Sequence, residues 1–252
     1  MKKTLTLIII LLASVTSLTA SENQLIIAKA NKAYSDGMYA NAAELYKQVI
    51  ATGNVSWELY YNLGNAFFKL NDNASAILYY ERARKLNPGS EDIDFNLKVA
   101  NNRIADKIEP IPEFFAKKWF RNAVEFFPVD RWATLVVLSF LIALGSFSLF
   151  ILARTLLIRK TGFWFGFAFL FIALLFSLFS WKNYQAIQNN SSAIIFSPTV
   201  TIKSSPDEKS IDLFVLHEGT KVEIMDHIGN WSEIRISNGS VGWLLSSTIE
   251  KI

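Results

Sequence analysis

His217 and His227 are the only histidines in the chain, and they adjoin Glu218 and Asp226 respectively. An imidazole beside a carboxylate is the pairing that acid–base or zinc chemistry uses. A zinc site needs three or four convergent ligands, and neighbours on a strand point to opposite faces, so these residues read as surface histidines of a β segment. Glu91, Asp92 and Asp94 form a second cluster with metal-ligand composition, but they follow Pro88-Gly89-Ser90. Acids there suit the positive start of a helix that Ser90 caps. There is no Gly-rich phosphate loop, no His-Glu-x-x-His and no nucleophile elbow. The absence of cysteine removes disulfides, Cys-based zinc sites and a thiol nucleophile. The chain is therefore expected to be no enzyme and to need no cofactor or metal; a hydrolase built on His217 is the catalytic alternative.

The elements that carry these residues are very uneven in composition. Of 252 residues 51 % are apolar, yet the net charge is only +3, and the basic residues form no stripe, which excludes a nucleic-acid partner. Residues 1–20 have the grammar of an export signal: Lys2 and Lys3, an apolar Leu5–Val15 core, then Ser17-Leu18-Thr19-Ala20. That core is too short for a bilayer about 30 Å thick. Cleavage and retention as a signal anchor both fit, because Leu18 matches a cleavage site poorly, and both export the chain beyond it.

Residues 133–153 and 161–181 contain no charge and have no polar face, so both are expected to span lipid. Trp132, Trp164 and Trp181 stand near their ends, where indoles favour the interface. The short loop 154–160 carries Arg154, Arg159 and Lys160 and suits the cytoplasm, although Lys117, Lys118, Arg121, Arg131 and Lys182 flank the opposite ends. The export signal decides the orientation: a multi-pass protein of the bacterial inner membrane, with both soluble parts on the periplasmic side. In the juxtamembrane segment 110–132, Phe115, Trp119, Ala123 and Phe126 share a helical face opposite Lys118, Arg121 and Glu125. Two roles fit it, lying in the lipid headgroups or packing on the preceding domain.

Residues 21–109 repeat with a period of 34: Ala30 aligns with Gly64, Tyr34 with Phe68, Gly37 with Asn71, Ala42 with Ala76, and Tyr46 with Tyr80. This resembles the tetratricopeptide repeat, the second copy through Leu63-Gly64, Phe67, Ala76, Tyr80, Ala83 and Pro88. The first copy departs from the pattern at Ala30, Val49 and Asn54. A third helix, about 90–106, reuses the Asn62-Leu63 pair as Asn96-Leu97 and closes a minimal all-α solenoid of two repeats plus a cap. The resemblance implies a concave partner-binding face of Ile27, Asn31, Tyr34, Tyr61, Asn62, Asn65, Phe68 and Phe95, with Asp92, Asn96 and Val99 beside them. Relatives that grip C-terminal carboxylates add cations, where this chain has Ile27, Asp92 and Asn96. An apolar or aromatic peptide, or a partner helix, fits better. Core packing of the aromatic members is the alternative.

After a linker, 182–192, the period becomes two: Val200/Ile202, Val222/Ile224 and Ile234/Ile236 alternate with polar residues. Gly229-Asn230 and Asn238-Gly239 are hairpin turns. With His217-Glu218-Gly219-Thr220 and Gly242-Trp243, residues 193–252 resemble a bacterial SH3 domain, which implies a small closed all-β barrel. Trp231 and Trp243 are then either an aromatic ligand surface or strand anchors.

The whole order of export signal, helical repeats, transmembrane hairpin and SH3-like barrel, with the Ile108–Phe115 run before the membrane, is similar to the BatE-type family of Bacteroides aerotolerance proteins. That resemblance implies association with other Bat membrane proteins that carry von Willebrand A-type domains, and a role in envelope stress. The expected function is a membrane-anchored scaffold for protein–protein interaction. The alternative is an envelope-binding module whose barrel recognises peptidoglycan peptides.

Overall fold

The structure is a computed structural model that describes residues 22–189 and 191–252. The export segment expected over 1–20 lies outside the described residues.

Among the described residues five helices form the N-terminal part: α1 (22–35), α2 (Tyr39–Ala51), α3 (Trp57–Lys69), α4 (Asn73–Leu86) and α5 (Glu91–Asn101). Their boundaries follow from capping and turn chemistry. The Ser56 side chain accepts from Leu59 N–H and that of Asp72 from Ser75 N–H, satisfying donors that a helix start leaves open. Gly37 and Asn71, one repeat apart, both adopt positive φ after the first helix of each pair, a conformation open to Gly and tolerated by Asn. Ser90 makes no side-chain cap bond, so α5 starts without the expected one. Small residues bring paired helices together: a Cβ on Gly64 would stand 2.7 Å from the Tyr80 ring.

Next come α6 (Phe115–Glu125), α7 (Val129–Leu152) and α8 (Leu156–Gln188). Both α7 and α8 are long and apolar enough to cross a membrane. A soluble core helix would be mostly buried, whereas only 11 % and 17 % of their most apolar stretches are. Their outward Leu141, Phe165, Phe171 and Leu174 are exposed, a surface that suits hydrocarbon. These helices make the chain a multi-pass membrane protein. They meet through small residues, for a Cβ on Gly162 would lie 2.7 Å from the Ser146 carbonyl oxygen and one on Gly166 within 2.9 Å of the Phe147 ring. Most of segment 154–160 is the first turn of α8 rather than loop, and 182–188 continue α8 rather than form linker. Exposed Arg159 and Lys160 do not stop a helix.

Seven strands complete the chain: β1 (Ser192–Ile195), β2 (Thr199–Lys203), β3 (Asp212–His217), β4 (Lys221–Ile228), β5 (Trp231–Arg235), β6 (Val241–Leu245) and β7 (Ile249–Lys251). The alternation seen in the sequence places Val200, Ile202, Val222 and Ile234 in one apolar core. The closed SH3-like barrel is not what forms. The strands make one open sheet in the order β3-β2-β6-β5-β4-β1-β7, with β3 and β7 as edges. Closure would need β7 to meet β3. Instead β7 is three residues long and is held by the helical repeat, where Arg82 binds the Glu250 carboxylate and the Lys251 carbonyl. The peptidoglycan reading rested on that barrel and loses its basis.

Helices and sheet share interior. Ile194 lies in the repeat's apolar core, while its neighbours Ala193 and Ile195 lie in the sheet's.

Candidate interaction site

The residues expected on a concave face stand on the first helices of the repeat pairs, α1 and α3, and on α5. Each pair is closed by one polar bond. The Tyr46 hydroxyl donates to Asn31 Oδ1 at 2.6 Å, and 34 residues later the Tyr80 hydroxyl donates to Asn65 Oδ1 at 2.7 Å. Asn96 Nδ2 donates to both Asn65 Oδ1 and the Tyr61 hydroxyl at 2.9 Å. Burial raises the Tyr46 phenol to about 12, helped by the neighbouring Tyr34, and moves Tyr80 in the same direction for the same reason. The phenols are therefore neutral donors that fix the asparagines in place. Asn62, by contrast, has no side-chain hydrogen-bond partner among the described residues. A groove of about 250 Å³ opens between Asn31, Tyr34, Ser35, Tyr46, Asn62 and Asn65.

The other residues expected on this face divide by exposure. Ile27, Tyr34, Tyr61 and Phe68 are half-buried against the repeat's core, so part of each ring or side chain is structural. Phe95 is 66 % exposed. The structure adds Arg103, whose guanidinium stacks 3.8 Å from the Phe68 ring centroid. It lies two residues past the end of α5, outside the repeat alignment, so spacing alone gave no signal for it.

The opposite side of the repeat is occupied by the chain's own sheet. Glu81, only 7 % exposed, binds Lys221 at 2.9 Å and Arg84 at 2.7 Å. Burial alone would raise the Glu81 carboxyl, but the two cations hold it below its ordinary range. Lys85 donates to the Ile252 carbonyl at 3.2 Å.

The second pair of candidates is divided as well: Trp243 is 9 % exposed, which leaves little ring for a ligand, and Trp231 is half-buried. His217 faces Asp106, not Glu218, and His227 Nδ1 meets Ser232 and Ser246. Among the described residues no three His, Asp or Glu side chains converge as a metal site.

Residues 57–90 match the tetratricopeptide repeat. The match covers α3, α4 and their turn, and α1–α2 carry the same Asn–Tyr bond one period earlier. No curated protein matches the chain. A tetratricopeptide repeat carried beside two membrane-spanning helices is consistent with a non-catalytic, membrane-associated protein-interaction module.

Proposed function

We propose that the chain is a membrane-anchored scaffold that holds the concave face of its repeat, at a fixed height above the bilayer, for a protein partner. One observation carries the reading: the outer side of α4 is covered by the chain's own sheet, whereas the Asn31–Asn62–Asn65 groove stays open. An unsatisfied Asn62 amide suits the backbone of an extended segment, and exposed Phe95 and half-buried Tyr34 and Phe68 suit an apolar or aromatic side chain. The resemblance to the Bacteroides aerotolerance family supplies the first partner class to try, membrane proteins with von Willebrand A-type domains, and envelope stress as the setting.

In vivo crosslinking from the groove, followed by affinity recovery, tests this. Asn62→Ala combined with Phe95→Ala is expected to abolish recovery of the partner while leaving thermal unfolding unchanged. Full recovery with the double variant would remove the concave face from consideration. The proposed orientation, soluble parts periplasmic, is checked by alkaline phosphatase fusions: activity after residue 252 and none within 154–160.

A further inference from the structure

A second cavity, of about 510 Å³, lies where the repeat, α6 and the far end of α8 meet. Its floor is the buried Glu81 carboxylate with its half-exposed partners Lys221 and Arg84. Its walls carry Asp94 from α5, Arg121 and Glu125 from α6, and Asn183 from α8. The walls are built rather than incidental. Asn183, 5 % exposed, donates to the Val124 carbonyl at 2.9 Å and the Phe127 carbonyl at 2.8 Å. The backbone after α6 also closes on Gly89, where a Cβ would stand 2.6 Å from the Phe126 carbonyl oxygen.

The cavity sits at the level where lipid headgroups would lie. Asn183 is two residues beyond Trp181, and α6 exposes Phe115 and Trp119 alongside it, with Phe114 and Phe126 at its ends. Its charges are mixed. Among the described residues Asp94 has no ion pair within 4 Å, with Arg84 as its nearby counter-charge, and Glu125 meets Arg121 at 4.0 Å. Burial pushes both carboxyls upward, so each gains from a cation with N–H donors. Arg84, which also binds Glu81 at 2.7 Å, and Arg121, which also binds Glu113 at 2.9 Å, line the cavity with Lys85 and can turn their remaining N–H groups to a phosphate. A purely anionic headgroup would leave the acids unpaired, and a quaternary ammonium could not donate to them.

We propose that this cavity binds a phosphate–primary ammonium headgroup from the surrounding bilayer, the chemistry of phosphatidylethanolamine, with phosphate toward Arg84 and Arg121 and ammonium toward Asp94 and Glu125. The inference rests on α7 and α8 spanning lipid, which carbonate washing of membranes scores separately.

The full chain, purified in detergent and delipidated, is offered phosphatidylethanolamine, phosphatidylcholine or phosphatidylglycerol, and bound lipid is counted by native mass spectrometry. Retention of phosphatidylethanolamine is expected to exceed that of either other lipid by about tenfold, the ratio of roughly one charge-assisted hydrogen bond. Asp94→Asn with Glu125→Gln should erase the preference over phosphatidylcholine, and Arg121→Gln should lower retention of both. Equal retention of the three lipids by the unaltered chain would overturn the proposal, and that comparison needs no variant to fold. Displacement by soluble glycerophosphoethanolamine at concentrations matching the lipid would overturn the bilayer as the source. Loss of preference in a chain that stays with carbonate-washed membranes counts against the cavity alone.

Discussion

The Asp106 carboxylate holds His217 twice, accepting from its backbone N–H at 2.7 Å and meeting its ring Nδ1 at 2.8 Å. A further donor, the Thr220 hydroxyl, reaches it at 2.6 Å. One side chain just past the repeat thus fastens the turn between β3 and β4.

Burial alone would raise the Asp106 carboxyl, but donation from Thr220 and His217 outweighs it and holds the group below its ordinary 3.8. A depressed carboxylate contributes stability that is complete above the unfolded value and is lost as pH falls below 3.8 through the folded one. Asp106→Asn is expected to cost about 1 kcal/mol near neutrality, discounted for partial solvent access. It should also make thermal unfolding less sensitive to acid as pH falls through 3.8 and below. Melting curves of the full chain in detergent across that range check both effects.

The phenols behave with the opposite sign. Tyr46 is raised to about 12, so the stability it contributes is present below the unfolded value of 10 and is lost as pH rises toward 12. Absorbance titration should show a tyrosine that resists ionisation until that range. Tyr46→Phe should remove its share of that resistant absorbance, leaving that of Tyr80, and cost about 1 kcal/mol, one neutral hydrogen bond.

Gly64→Val would drive a side chain into the Tyr80 ring, which lies only 2.7 Å from where its Cβ would stand. Overpacking of this kind costs about 1–3 kcal/mol. Faster amide exchange across α3 and α4, with the membrane helices unaffected, is the expected signature.

Asn183→Leu keeps the branched shape but takes one of two donors from the Val124 carbonyl and the Asn183 donor from the Phe127 carbonyl, at a cost of about 2 kcal/mol. Trp132 Nε1 still reaches the Val124 carbonyl at 2.9 Å, so the loss should be local. Hydrogen exchange is expected to rise over 115–128 and not in the repeat; an unchanged pattern would show that α6 is held by its aromatic face alone.

Periodicity made much of this architecture legible. The 34-residue spacing carried Gly37 and Asn71 to equivalent positive-φ turns and Tyr46 and Tyr80 to equivalent bonds, because a repeat must solve the same packing problem twice. Alternation placed Val200, Ile202, Val222 and Ile234 inside the sheet. Closure of that sheet was not legible, since a strand pattern reports which face is buried and not which strand lies beside it. Nor was the docking of sheet on repeat. Its one trace was the run Ala193-Ile194-Ile195, apolar at consecutive positions where a half-buried strand would alternate; β1 is covered on both sides by different interiors. Asn62 and Phe95 were legible as candidates through the repeat alignment, whereas Arg103 and the α6–α8 cavity depend on contacts between segments far apart in the chain.

Helix α8 runs unbroken for 33 residues, about 50 Å at 1.5 Å per residue, against roughly 30 Å of hydrocarbon. Its last turns extend past the hydrocarbon into the headgroup level where the α6–α8 cavity lies, and β1 begins at Ser192, a few residues on. A tilt or piston stroke imposed on the hairpin from the far leaflet would therefore travel along a stiff rod to Asn183, which ties α8 to the end of α6, and on through the contact of that end with Gly89 of the repeat. The repeat and the sheet would have to move with it as a single body.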